Sequence, residues 1–327
     1  MAIELGYTLS SEEHPADRLV EIARLAEEAG FGFVSISDHF HPWTDRQGQS
    51  PFVWSVIGAV ASATKRIRIG TGVTCPTIRV HPAIVAQAAA TCAQLLPGRF
   101  YLGLGTGENL NEHVVGARWP AAEIRLEMLD EAIHVIRDLW SGENTTHRGT
   151  HYEVENARIY SMPDSPPPIY VAGSGPKSAS LAANRGDGLI GVSPDAEFVR
   201  SYRDAGGRGP AYGQMHVSYA SSPEEGRRAA KEIWPNSAIP GELGQELPLP
   251  RHFEQAAGTV TEDMLAETVP CGPDPDLHLE HLQRFVGAGY THVYVHQTGT
   301  DLESQRAAIG FYRREIMPKL DGLRPAA

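Results

Sequence analysis

The stretch Phe33-Val34-Ser35-Ile36-Ser37-Asp38-His39-Phe40-His41-Pro42-Trp43 decides the fold. A short β-branched, apolar run stops abruptly at polar and aromatic residues, and an apolar pattern of helical period follows over residues 52–63. Strand, loop and helix in that order form the unit of a parallel α/β architecture, in which helices cover the strands and chemistry gathers at the strands' C-terminal ends.

Working outward, the unit recurs. Before it, residues 3–9 read as a strand and 15–29 as an amphipathic helix that ends at Gly30. After it come strands over 66–73 and 99–104, with helices over 82–96 and 123–140. Strands over 168–172, 188–192, 216–220 and 292–296 then alternate with helices over 178–184, 196–204, 223–234 and 302–316. Eight alternations predict a (β/α)8 barrel, and 327 residues are an ordinary length for one such domain. Two insertions interrupt the alternation. Residues 142–166 carry a hairpin near 145–152, and 235–270 are so rich in Pro, Gly and Glu that an irregular, lid-forming segment is expected. A helix over 276–288, with Asp274 as N-cap and Pro275 in its first turn, leads into the last strand.

Composition narrows the function. Forty acidic against 28 basic side chains give a formal charge of −12, and no Lys/Arg run relieves it, so nucleic acid is not an expected partner. Lys65, Lys177, Lys231 and Lys319 are the only lysines, so an anionic ligand must rely on arginine or backbone N–H groups. Cys75, Cys92 and Cys271 have neither the even count nor the spacing of a disulfide framework or thiolate metal site, which fits a reducing cytoplasm. The N-terminal residues show no basic-then-apolar leader, and no run approaches the ~20 apolar residues of a membrane span.

Strand ends concentrate the candidate chemistry. His39, His41, Asp38 and Trp43 crowd the loop after the second strand, and an imidazole there can take a hydroxyl proton near neutral pH, which makes His39 the candidate base. Its bland alternative is a structural histidine bonded to Asp38. The fourth strand ends Gly105-Thr106-Gly107-Glu108, which misses the dinucleotide GxGxxG pattern because Glu108 takes the third glycine's place. Glycines would still let a flat ring approach, with Glu108 polarising it, although Glu108 and Glu112 also suit a helix N-terminus. The fifth strand runs into Ala172-Gly173-Ser174-Gly175 and a helix start able to cradle phosphate. Glu12 could reach the barrel mouth or cap the first helix, and Gly72-Val73 could form an unusual peptide beneath a cofactor. His278 and His281 have helical spacing but lack a third ligand, so no metal is expected and they read as solvated or capping residues.

Together with Leu5-Gly6-Tyr7, Leu110-Asn111-Glu112, Leu139-Trp140-Ser141-Gly142, Gly186-Asp187-Gly188 and Gly272-Pro273-Asp274-Pro275, these residues resemble the coenzyme F420-dependent glucose-6-phosphate dehydrogenase family of bacterial-luciferase-like barrels. The resemblance implies a homodimeric barrel with the deazaflavin across its mouth and a small-molecule substrate against the ring. It implies His39, Trp43, Glu108 and Glu12 as catalytic residues. Asp38, Gly72, Val73, Thr106, Gly107 and the loop Ala172 to Gly175 would contact the cofactor. Where the sugar-phosphate enzymes use two lysines and an arginine on the substrate phosphate, this chain is nearly free of lysine and places Gln255. Arg251, Arg284, Arg200 or Arg203 could form another anion clamp. A neutral sugar or secondary alcohol is an equal expectation. Alternatives are an FMN-dependent monooxygenase on the same barrel and a non-catalytic deazaflavin-binding protein.

Overall fold

The computed structural model describes residues 3–324. Its elements run β1 Glu4–Leu9, α1 Ala16–Ala29, β2 Phe33–Ile36, α2 Val53–Ala63, β3 Arg68–Thr71, α3 Pro82–Leu95, β4 Phe100–Leu104, α4 Asn109–Glu112 and α5 Ala122–Leu139. There follow the hairpin β5 Thr145–Arg148 and β6 Glu153–Ala157, then β7 Ile169–Ala172, α6 Pro176–Arg185, β8 Gly188–Gly191 and α7 Ala196–Asp204. The chain closes with β9 Ala211–Val217, α8 Pro223–Ile233, α9 Leu243–Glu246, α10 Pro250–Ala257, α11 Glu262–Ala266, α12 Pro275–Gly287, β10 His292–Gln297 and α13 Leu302–Phe311. Strands β1, β2, β3, β4, β7, β8, β9 and β10 pair in parallel around a closed barrel, with β10 returning to β1 through Tyr7 opposite Val295.

Local chemistry sets the helix limits. Asp195, Ser222, Asp274 and Asp301 each accept a backbone N–H at the start of α7, α8, α12 and α13, satisfying donors that a helix start leaves orphaned. Helix α1 stops at Gly30, whose φ of 100° suits a left-handed C-cap. Its Leu19, Ile22, Ala23 and Ala26 are buried against the barrel's outer wall. Each large apolar side chain so buried contributes about 1.5–3 kcal/mol relative to exposure.

The lumen is graded from end to end. Phe33, Tyr101, Tyr170, Tyr212 and Tyr294 fill its lower part as one buried aromatic cluster. Gly70 makes room for it, since a Cβ there would stand 2.2 Å from the Tyr101 ring. Toward the strands' C-terminal ends the inward positions shrink to Gly103, Gly105 and Ala172, which leaves space at the mouth.

Five expectations are corrected. The segment 235–270 is not irregular: it holds a 3-10 turn and helices α9, α10 and α11. Helix α8 packs against α11 in the same excursion, so it is α12 that covers β9. Strand β9 begins at Ala211 rather than 216, because pairing with β8 and β10 on both sides outweighs the weak strand preference of Gly213 and Gln214. The last helix changes to a π turn over Tyr312–Ile316, and the hairpin pairs Thr145–Arg148 with Glu153–Ala157.

Candidate active site

The loop after β2 brings His39 against Glu12 from the loop after β1, with Nε2 3.3 Å from Glu12 Oε1. Glu12 does not cap α1, which begins without a side-chain cap. Instead its Oε2 accepts the hydroxyls of Ser37 at 2.5 Å and Ser10 at 3.0 Å. Burial opposes ionisation of Glu12, but the facing His39 and the Ser37 hydroxyl together hold its carboxyl below the usual range. A buried carboxylate therefore stands beside the imidazole.

The opposite nitrogen, His39 Nδ1, lies 3.1 Å from both the His41 carbonyl and the Asn111 side-chain amide. Asn111 Oδ1 accepts the backbone N–H groups of Phe40 and His41, which turns its Nδ2 toward His39 and toward Glu108 Oε2 at 3.3 Å. Asn111 is 1% exposed and ties the β2 loop to the β4 loop. Composition singles out neither its burial nor its contacts, since those depend on a partner loop some 70 residues away. Glu108 occupies the N-cap position of α4 but makes no capping bond. Asp38 is not bonded to His39: its oxygens take Thr74 Oγ1 at 2.7 Å and Arg79 Nη2 at 2.9 Å. Arg79 also approaches Glu112, whose carboxyl burial pushes up to about 6, although the Arg79 N–H and guanidinium oppose the rise. Glu112 is thus a buried ion-pair partner rather than a solvated helix carboxylate.

Trp43 lies between the His39 ring, 4.9 Å between centroids, and Phe253 of α10 at 5.1 Å. The excursion over 223–270 is fastened to the mouth loops. Gln47 donates to the Ile233 carbonyl, Glu254 accepts from Asp45 N, and Asn109 Nδ2 donates to the Glu246 carbonyl. Gln255 and Arg251 lie exposed on α10. Arg284 does not reach this site. It sits in the last turn of α12, the end that leads back to the start of β10, and bonds Glu280 and the Glu267 carbonyl. Arg203 likewise is spent on the carbonyls of Gly207 and Gly209. His278 and His281 are buried rather than solvated; His278 bonds Tyr312 Oη and the Gly272 carbonyl.

A second buried chain, unread in the sequence, adjoins the first. Glu13 accepts from His296 Nε2 at 2.6 Å and from Gly299 N, and His296 Nδ1 meets His216 Nδ1 at 2.7 Å. Burial first, then the neighbouring His296, keeps His216 well below the usual imidazole value.

A planar cofactor can be tested against these surfaces. Gly107 has a φ of +79°, and a Cβ there would stand 2.5 Å from Cys75 Sγ, so this turn admits no side chain. The bare, half-buried backbone of Thr106 and Gly107 forms a floor beside Val73, whose peptide with Gly72 is cis. Across the mouth, the half-buried Ala172 and Gly173, exposed Ser174 and half-buried Gly175 lead into the start of α6, where backbone N–H groups favour an anion. The residues present therefore suit a flat ring system carrying a phosphate.

A closed parallel barrel with polar residues gathered at its strand ends is a (β/α)8 architecture. Residues 2–292 match the luciferase-like monooxygenase family, and the chain belongs to that family. It is 35% identical to an F420-dependent glucose-6-phosphate dehydrogenase of Microbacterium testaceum, covering 97% of each chain. It is 38% identical to an F420-dependent hydroxymycolic acid dehydrogenase of Mycobacterium tuberculosis, covering 97% of this chain and 88% of that one. A solved F420-dependent secondary alcohol dehydrogenase, in complex with an F420-acetone adduct, superposes with a TM-score of 0.90 at 31% identity over 98% and 99% of the two chains.

Proposed function

We propose that the protein is a coenzyme F420-dependent dehydrogenase acting on the carbinol carbon of a sugar, sugar phosphate or secondary alcohol. When bound, F420 supplies the deazaflavin that accepts the hydride. His39 takes the hydroxyl proton at Nε2. The observation that carries this is the pairing of His39 with Glu12: an imidazolium formed there gains a carboxylate at Nε2, while Nδ1–H keeps the His41 carbonyl as its acceptor. Trp43 covers the His39 ring and excludes water. Glu108, held by Asn111, is placed to exchange a proton or offset charge at the cofactor's edge. Asp38 and Arg79 brace the floor, and Gly72, Val73, Thr106, Gly107 and Ala172 to Gly175 contact the cofactor. Gln255 and Arg251 lie two residues to either side of Phe253 on α10 and so turn away from the Trp43 side, which leaves them at most a distal, solvent-screened contact with the substrate. The working unit is a homodimer.

Titration of purified protein with F420 and with FMN, followed by tryptophan quenching, tests the cofactor. A screen of alcohols, sugars and sugar phosphates for loss of deazaflavin absorbance tests the reaction. Tight F420 binding with turnover is expected; binding of FMN alone would move the assignment to a monooxygenase.

A further inference from the structure

On the barrel's outer wall, the C-terminal half of α5 and the β5–β6 hairpin bring together His134, Asp138 and His147, whose candidate donor atoms lie within 4.8 Å of one another. We propose that this trio binds a divalent transition ion of the zinc class. The sequence suggested no such site, because its third member comes from a hairpin whose docking on α5 is not a local pattern.

His134 and Asp138 stand one helical turn apart, with Nε2 3.3 Å from Oδ2. That is close to the edge of a tetrahedron with bonds of about 2.0–2.1 Å, the usual lengths for imidazole and carboxylate on zinc. The His134 and His147 rings meet edge to face at 67°, with centroids 5.6 Å apart, so they converge without stacking. Two imidazoles and one carboxylate suit a borderline ion such as zinc, cobalt or nickel rather than calcium or magnesium, which prefer all-oxygen shells.

An independent feature supports the assignment. His147 Nε2 lies 3.1 Å from Glu131 Oε1, and with a proton there its Nδ1 is the nitrogen left free for a metal. Glu131 is itself fixed by the backbone N–H groups of Thr150, His151 and Tyr152. A carboxylate anchored behind a histidine is the arrangement that orients a metal-binding imidazole and raises its basicity. His134 and Asp138 remain about half exposed, which leaves a coordination position to water. The ion would clasp the hairpin to α5.

The test is calorimetric titration of EDTA-treated full-length protein with Zn2+, with Co2+ absorption reporting coordination geometry. One equivalent with tetrahedral cobalt bands is expected. His134→Ala and His147→Ala should each weaken zinc binding by at least about tenfold. His151→Ala, a neighbouring histidine outside the trio, should leave it unchanged. Zinc should also slow amide exchange across residues 145–157 in the parent protein and not in His134→Ala. His134 is half exposed, so its loss does not threaten folding, and metal-free turnover serves as the control. Equal zinc affinity in parent and His134→Ala/His147→Ala double variant, or binding without defined stoichiometry, would overturn the proposal as adventitious surface binding.

Discussion

His39 Nε2 faces Glu12 Oε1 at 3.3 Å inside the barrel mouth, and Glu12 is 2% exposed with its second oxygen held by two serine hydroxyls. The pair joins the loops after β1 and β2, so the base and its counter-charge arrive from different strands. Replacing His39 by alanine removes the proton acceptor but touches none of the glycine floor. Turnover is expected to fall by about 10²–10⁴, the usual contribution of a positioned general base, with F420 affinity unchanged. Steady-state kcat together with fluorescence titration checks this. A near-native kcat would transfer the base role to Glu12 or a bound water.

Asn111 is expected to act as a positioning residue, for Glu108 directly and for His39 through the β2 loop whose Phe40 and His41 N–H groups it accepts. In Asn111→Asp, the oxygen that accepts Phe40 and His41 N–H survives, but a second oxygen replaces the amide nitrogen opposite Glu108 Oε2. Loop structure should be kept while catalysis is lost. The expected signature is a lower kcat with little change in KM, accompanied by a shifted pH profile. Asn111→Ala should lose both loop anchoring and rate. Identical Tm and kinetics for the two variants would argue against the split.

Gly107→Ala places a methyl group at positive φ and 2.5 Å from Cys75 Sγ. The variant is expected to lose more than about 1 kcal/mol of stability and to bind F420 more weakly. Thermal unfolding with and without cofactor separates the two effects. Unchanged Tm would mean that Cys75 yields without cost.

The barrel was legible because most of its strands are short apolar runs followed at once by Gly or Ser, as at Ser10, Ser37, Gly72, Gly105 and Gly173, and those signals are local. That His39, Trp43 and Glu108 gather at the strand ends was legible for the same reason, since strand ends in this architecture are where chemistry projects. Helices α9, α10 and α11 were not. Their order comes from tertiary anchors, Phe253 on Trp43 and Asn109 on the Glu246 carbonyl, rather than from helix propensity. Arg284 looked available as an anion clamp because sequence does not reveal which end of its helix faces the mouth. Glu13 and His296 escaped notice for a similar reason: one follows β1 and the other ends β10, and only barrel closure makes them neighbours.

His278 carries a pH prediction. Buried on α12 between Tyr312 Oη and the Gly272 carbonyl, its imidazole is held by burial at about 4, with the Gly272 bond opposing the fall. The unfolded chain takes up a proton near pH 6.5, which the folded protein refuses until about pH 4. Its contribution is therefore complete above pH 6.5 and declines as pH falls toward 4, by on the order of 3 kcal/mol. His14, also held at about 4 chiefly by burial, acts in the same direction. Tm measured from pH 7 to 4.5 should fall less steeply in His278→Gln than in the parent; parallel curves would show that other groups carry the acid sensitivity.

Substrate charge is the last matter that α10 can decide. Its Phe253 packs on Trp43, so the helix borders the site, yet it carries neutral Gln255 and a solvent-exposed Arg251, with no lysine among its residues. A phosphate held by an exposed guanidinium is worth no more than about 1 kcal/mol, because water and salt screen the pair. Neutral secondary alcohols are accordingly expected to give higher kcat/KM than glucose 6-phosphate. Arg251→Ala should lower kcat/KM for the sugar phosphate by no more than about fivefold and leave the neutral alcohol unaffected. Comparing both substrates at two salt concentrations separates a screened contact from a desolvated one. A salt-insensitive loss of a hundredfold confined to the phosphorylated substrate would establish a buried anion clamp at α10 and restore the sugar phosphate as the better substrate.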